Sequence, residues 1–319
     1  MSQTLTQYLD WLDERQDLLW PAPPAFRPLK ATPTLKPLHG IRLVTFNPYG
    51  TLLHIDQGRL VHLHPQKVRT QIALEKTINE FNMWNSMSRK PGQPWEYMLQ
   101  QYTKLLEERQ MAGTGRKGDY PEIDSTAIWH KVVERLRKNE YQYDEDRLGD
   151  PAELAEKVAY FFHASMQGVA ASTNAVATLL HLQEQGIRCG LLGDGQSFTV
   201  PQIMRAFRQQ RSLASPGLVL SNDSLILSTQ VGLRQPSPGL YEHARDVVRT
   251  LGIQPGQVLH VSHRHEDDLV LAKAAGFRCA LYAADEATCL VEKAKIRDPE
   301  LRPDRLITDL KQLRDILQV

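Results

Sequence analysis

Apolar positions along this chain change their period from one segment to the next. Near the N-terminus Leu5, Tyr8, Leu9 and Leu12, continued by Leu18, Leu19 and Trp20, recur at helix-like spacing. Prolines at 21, 23, 24, 28, 33 and 37 follow, a density that favours extended backbone. Residues 1–39 are therefore expected to form a short helix and a surface strap. The helix is expected to dock on the protein's own core, the alternative being a helix offered to a partner. Short apolar runs near 41–47, 187–192, 217–221, 258–262 and 278–282 have the length of buried strands. They alternate with helical periods near 173–185, 200–210, 238–251 and 266–275. That alternation predicts the α/β class, a doubly wound parallel sheet with helices on both faces.

Residues 59–171 are too long for a crossover and too rich in helix formers for a loop. Val68, Ile72, Leu74, Ile78 and Phe81 mark one helix; the period repeats over Trp95 to Leu106, Ile128 to Leu136 and Glu153 to Met166. Pro91-Gly92-Gln93-Pro94 and Gly113 to Gly118 interrupt it. The expected organisation is an N-terminal segment 1–39, a core of 40–58 plus 172–319, and an inserted helical cap of 59–171. Phe81 to Pro91 mixes Phe, Trp and two Met with Asn, Ser, Arg and Lys, which suits either a ligand-pocket wall or a core face with a basic end. Gly113 to Gly118, with Arg116 and Lys117, would either cradle an anion through its N–H groups or serve as a connector, since it lacks the strand-to-helix setting of a phosphate loop.

Charge removes one class of partner. With 38 basic and 37 acidic residues interspersed and a net charge of +1, the chain has no electrostatic footprint for nucleic acid. No apolar run approaches the roughly 20 residues of a membrane span, and no signal-peptide pattern opens the chain, so a cytoplasmic protein is expected. Cys189, Cys279 and Cys289 are odd in number and lack metal-type spacing; they read as buried reduced thiols.

Candidate chemistry lies where the strands end. Leu43 to Phe46 runs into Asn47-Pro48-Tyr49-Gly50-Thr51, and Ile187 to Leu192 into Gly193-Asp194-Gly195. Gln235-Pro236-Ser237-Pro238 precedes Tyr241. Val258 to Ser262 leads into His263-Arg264-His265-Glu266-Asp267-Asp268, with Ala272-Lys273-Ala274-Ala275-Gly276 beyond. In order and spacing these segments, with Ile307-Thr308-Asp309-Leu310, resemble the haloacid dehalogenase superfamily over about half the chain. The resemblance implies a Rossmann-like, doubly wound core whose cap folds over an active site. It also implies a nucleophilic aspartate at position 47, a hydroxyl residue at 193, a lysine at 235 and acids at 263 and 268. This chain has Asn47, Gly193, Gln235 and His263, and keeps only Asp268. Tyr49 resembles the dehalogenase-like branch, which needs no metal; phosphatase-like members carry a second aspartate there.

An amide is a very poor nucleophile. Pro48 also lacks the N–H through which Asn47 would close a succinimide and deamidate. The replacements are coherent, since without a carboxylate at 47 a lysine at 235 would have no charge to pair. Two functions remain open. One is a non-catalytic member of this hydrolase family, binding a small molecule or a protein through cleft and cap. The other is a divergent phosphatase- or dehalogenase-like hydrolase in which Asp194, His263 or Asp268 activates water. No cofactor is expected. Should a divalent ion bind, Asp194, His263 and Asp268 are its candidate ligands, with His260 and His265 nearby in sequence. The alternative for the histidines is that His260 faces the core and His263 and His265 are solvated loop residues. His62 and His64 are expected at the surface.

Overall fold

The computed structural model describes residues 2–87, 92–289, 291 and 293–319. Helix α1 (Leu5–Glu14) opens with a capping box in which Thr4 accepts from the Gln7 N–H and the Gln7 side chain accepts from the Thr4 N–H. Leu5, Tyr8, Leu9 and Leu12 form its buried face. The expected continuation fails: the helix stops at Arg15, and Leu19 is 84% exposed. The proline-rich strap then crosses to the core, where the Leu29, Thr34 and Leu38 N–H groups donate to the carbonyls of Ala284, Leu306 and Ile316.

Strand β1 (Leu43–Phe46) is wholly buried, and β2 (Leu53–Ile55) carries the chain into the cap. The cap comprises α2 (Lys67–Glu80), α3 (Pro94–Gln110), the two-residue β3 (Tyr120–Pro121), α4 (Ser125–Arg137) and α5 (Pro151–Met166). Helix α5 is its centre. Asp150 caps it by accepting from the N–H groups of Ala152 and Glu153, Pro151 occupies its first turn, and it is buried from Leu154 onward on nearly every side. Helix α2 meets its expected face in part, with Leu74, Ile78 and the following Phe81 buried. It buries Thr70, Ala73, Leu74, Thr77 and Ile78 and leaves Val68 and Ile72 at 57% and 46% exposure. The inward stripe mixes small and hydroxyl-bearing residues with Leu74 and Ile78, Thr77 is bonded back to the Ala73 carbonyl, and the helix packs against α5. Strand β4 (Val169–Ala171) returns to the core and pairs antiparallel with β2.

The core continues through α6 (Ala175–Glu184), β5 (Arg188–Gly193), α7 (Thr199–Phe207), β6 (Leu225–Leu227), β7 (Leu233–Arg234), α8 (Pro238–Thr250), β8 (Val258–Ser262), α9 (Val270–Ala274), β9 (Arg278–Tyr282) and β10 (Arg305–Ile307). Six strands form one parallel sheet in the order β10-β9-β8-β1-β5-β6. Side chains alternate between its faces: Val44, Phe46, Leu191 and Leu259 enter one apolar cluster, and Leu43, Leu192 and Val258 the other. This is the doubly wound α/β core that the alternating pattern predicts.

Three elements differ from expectation, the first being β10, which forms where no strand is expected. No strand forms at 217–221; Pro216–Leu218 makes a 3₁₀ turn and the strand comes at β6. Pro216 interrupts extended pairing, although Val219 and Leu220 are still buried in the core. The helix expected over 266–275 begins instead as a π turn, His265–Leu269, before α9. Such a turn carries an extra residue, and Asp268 within it is wholly buried.

Candidate functional site

Asn47 directly follows β1 and is 2% exposed. Its Nδ2 donates to Asp268 Oδ2 at 2.7 Å and to Gln235 Oε1 at 3.1 Å. Gln235 Nε2 donates to the Tyr241 hydroxyl at 2.7 Å, and that hydroxyl donates to Asp268 Oδ1 at 2.7 Å. His260 Nε2 lies 2.7 Å from the same oxygen, while its Nδ1 pairs with Thr45 Oγ1 of β1 at 2.9 Å. Asp268 is thus the shared acceptor of a closed buried network. Burial alone would raise its pKa, but His260, together with hydrogen bonds from Ser262 and Asn47, holds the carboxyl well below the usual range.

Gly193 ends β5 with φ +144, a conformation that L side chains rarely adopt. A Cβ there would lie 3.0 Å from Asn47 Nδ2. Restoring a hydroxyl residue is therefore expected to cost stability: Gly193→Ser should lower the unfolding free energy by about 1–3 kcal/mol, read from urea denaturation. Tyr49 is tied down by Thr199 Oγ1 at 3.0 Å and Gln202 at 2.8 Å, and burial raises its pKa.

His263 and His265 are buried, at 2% and 3% exposure, rather than solvated. The His263 ring fills a cradle formed by Gly50 and Gly58. A Cβ on either glycine would come within 2.3 or 2.4 Å of it, and both glycines hold positive φ. Burial, reinforced by Arg264, lowers the His263 pKa to about 3, so the ring is neutral at ordinary pH. His265 Nε2 is bonded to the Leu301 carbonyl. His260 does face the core. His64 is buried too, paired with Asp56 at 3.2 Å, and burial together with Arg234 lowers the pKa of His62 to about 4. The expected surface position is corrected for His64, while His62 is half-buried on a cavity wall.

Cap and core enclose a cavity of about 310 Å³ lined by Asn47, Tyr49, Asp194 and Gln235. Asp268 and His263 do not line it; His263 opens on a second cavity of about 500 Å³, beside His265 and Arg264. Asp194 accepts from the Gln235 N–H at 2.7 Å and from Arg264 Nη1 at 3.2 Å. Burial raises its pKa, with Arg264 opposing. Among the described residues no group of three or more His, Cys, Asp or Glu side chains is placed to hold a metal ion. Asp194, His263 and Asp268 are accordingly not gathered as a donor set.

The same cavity is lined by residues that sequence reading missed: Arg59, His62, Glu122, Arg234 and Arg264. Arg264 pairs with Asp194 and Asp267. Arg59 and Arg234 have no carboxylate partner among the described residues, and the Arg234 Nε is buried without a hydrogen bond. Burial, with Asp194 nearby, raises the Glu122 pKa to about 8. Glu122 reaches the cleft only because β3 of the cap pairs with β7 of the core, a two-residue ladder that no periodicity announces.

The aromatic run of the cap does not line this cavity. Phe81, Met83 and Met87 belong to the cap core and Trp84 is 50% exposed; Ser88 to Pro91 lie outside the described residues. The Gly113 to Gly118 loop is open around its glycines, and its Arg116 pairs with Glu242 of α8, as suits a connector. All three cysteines are buried and unpaired. No described helix is long and apolar enough to cross a membrane.

Neither a protein-family model nor a curated protein sequence matches the chain. Among solved structures, 2-haloacid dehalogenase from Pseudomonas syringae pv. Tomato DC3000 is similar over 87% of this chain and 98% of its own, with a TM-score of 0.50 and 20% identity. A predicted phosphoglycolate phosphatase from Haemophilus somnus 129pt is similar over 88% of this chain and 99% of its own, with a TM-score of 0.47 and 15% identity. The first of these shows that the fold is haloacid dehalogenase-like. Fold alone assigns no chemistry.

Proposed function

We propose that this chain is a small-anion-binding protein on a haloacid dehalogenase-like fold, without aspartyl-nucleophile chemistry. The observation that carries the reading is the Asn47 amide donating to Asp268 at 2.7 Å. At the position of the attacking carboxylate stands a hydrogen-bond donor that holds the floor of the cleft together. Gln235 and Gly193 complete the same neutral arrangement. The ligand class follows from Arg59 and Arg234, which line the cavity without a counter-charge among the described residues. Glu122, with its pKa raised to about 8, is protonated at neutral pH and does not supply one. Guanidinium groups recognise carboxylate and phosphate through paired N–H donors, and a cavity of about 310 Å³ suits a small molecule.

The purified protein is expected to turn over neither phosphate esters nor 2-haloacids, with or without divalent metal, while binding inorganic phosphate or a short carboxylate in calorimetric titrations. Arg234→Gln should weaken that binding about tenfold or more, the scale of one charge-assisted hydrogen bond. Affinity should fall as pH rises from 7 to 9, because Glu122 loses its proton near 8 and then repels the anion. The alternative of a divergent hydrolase draws support from Asp194, a carboxyl of raised pKa on the cavity wall. Turnover by the unmodified protein that drops about 100-fold in Asp194→Ala would establish the hydrolase and overturn the binding reading.

A further inference from the structure

Helix α1 joins cap to core. Its apolar face, Leu5, Tyr8, Leu9 and Leu12, is buried in the cap's hydrophobic cluster with Phe81 and Phe161. On its polar face Asp13 pairs with Arg205 at 2.6 Å and Asp10 with Arg208 at 2.5 Å. Arg205 lies in core helix α7, and Arg208 caps its C-terminal end. Trp20 continues the seam, edge-on to Phe161 of α5 at 5.3 Å and beneath the Arg205 guanidinium at 5.1 Å.

The strap next passes over Gly168, in the two-residue link between α5 and β4. The approach is so close that a Cβ on Gly168 would stand 2.3 Å from the Ala22 backbone. From there the strap is fastened to the sheet edge through Leu306. A second latch lies at β3 and β7. Tyr120 pairs with Arg234, the Tyr120 N–H donates to Ser237 Oγ at 2.7 Å, and the Gly239 N–H donates to Asp119 Oδ1 at 2.9 Å. Strands β2 and β4 alone would leave the cap free to swing about a two-stranded hinge. Helix α1, the strap and the β3–β7 latch tie it down.

We infer that the N-terminal segment is a clamp that fixes the cap against the core, making the cap a permanent roof over the cleft and the cleft a preformed chamber. This inference concerns cap motion in the empty protein, so it stands or falls separately from the anion reading.

Gly168→Ala isolates the clamp. Its backbone φ lies outside the glycine-favouring region, and the three atoms nearest an alanine Cβ there all belong to the strap, at Pro21 and Ala22. Spin labels on Lys104→Cys in α3 and Glu184→Cys in α6 would report the distance between cap and core, both sites being exposed and the native cysteines buried. The otherwise unmodified chain is expected to give one narrow distribution, as is the control Gly113→Ala, whose Cβ meets nothing. Gly168→Ala should broaden it and speed amide exchange in β2 and β4 about tenfold or more. Should Gly168→Ala not fold, Asp10→Asn/Asp13→Asn removes the ion pairs to Arg205 and Arg208 with little change of shape and should speed the same amides about threefold or more. A broad distribution in the unmodified chain would overturn the clamp. So would native-like exchange in β2 and β4 of whichever variant folds.

Discussion

Asp268→Ala is expected to destabilise the folded protein by about 3–5 kcal/mol, measured by urea denaturation at pH 7. The carboxylate is wholly buried and receives hydrogen bonds from Asn47 and Tyr241, with His260 2.7 Å away. Its removal strands those groups in a dry interior, and each orphaned buried donor costs about 1–3 kcal/mol before relaxation. The pH dependence has a definite sign. The folded-state pKa is depressed, so the contribution is complete above the unfolded carboxyl value of about 3.9 and is lost as pH falls through the folded one. Acid should therefore erode the unmodified protein more steeply than Asp268→Ala. A loss below about 1 kcal/mol at pH 7 would mean that the network does not hold the floor of the cleft.

Asn47→Asp should fail to restore hydrolysis and should lower stability at neutral pH by roughly 2–4 kcal/mol, since each tenfold rise in a carboxyl's proton affinity on folding costs about 1.4 kcal/mol. The new carboxylate would replace a donor that now sits 2.7 Å from Asp268. Two carboxylates at that distance cannot both ionise, so one must keep its proton. A pKa raised in the folded state gives the opposite pH sign from Asp268. The penalty is absent below about pH 3.9 and grows as pH rises toward the raised value. Melts at pH 4.5 and 7.5 would show it. Adding Gln235→Lys should recover part of the loss, with a coupling of about 1–3 kcal/mol between the two positions in a double-mutant cycle. Recovery is incomplete because Arg264 Nη1 already lies 3.0 Å from Gln235 Oε1, so the lysine would meet a guanidinium. An Asn47→Asp protein that is stable at both pH values and hydrolyses a haloacid would show instead an intact cleft lacking only its nucleophile.

The sequence made the strands and the strand-end residues legible because both are local. Four of the six sheet strands, β1, β5, β8 and β9, coincide with the expected apolar runs. The other two are three residues long: β10 opens on a charged residue, Arg305, and β6 follows a buried turn, Val219-Leu220, that has the same apolar signature as a strand. Asn47, Asp194 and Gln235 could be grouped beforehand because each follows or flanks a strand. Arg59, Glu122 and Arg234 could not, since a loop, a two-residue ladder and a cap segment meet only in three dimensions. The fate of His263 was nearly readable: Gly50 and Gly58 stand eight residues apart with no side chain, and the imidazole occupies the space they leave. For α2 the apolar positions Leu74, Ile78 and Phe81 mark the buried side, but Val68 and Ile72 do not, and Thr70, Ala73 and Thr77 complete that side instead.

Helix α1 is synthesised ahead of every element it packs on. Its partners in α5 and around α7 lie between residues 147 and 208, so at 5–20 residues per second its docking site is completed roughly 10–40 s later. A ten-residue helix is marginal by itself in water. During that interval Leu5, Tyr8, Leu9 and Leu12 have Phe81 but not α5 to cover them, which makes this segment a transient handle for chaperones and a weak point for aggregation. The stretch translated before the cap and core is thus placed only after both have formed.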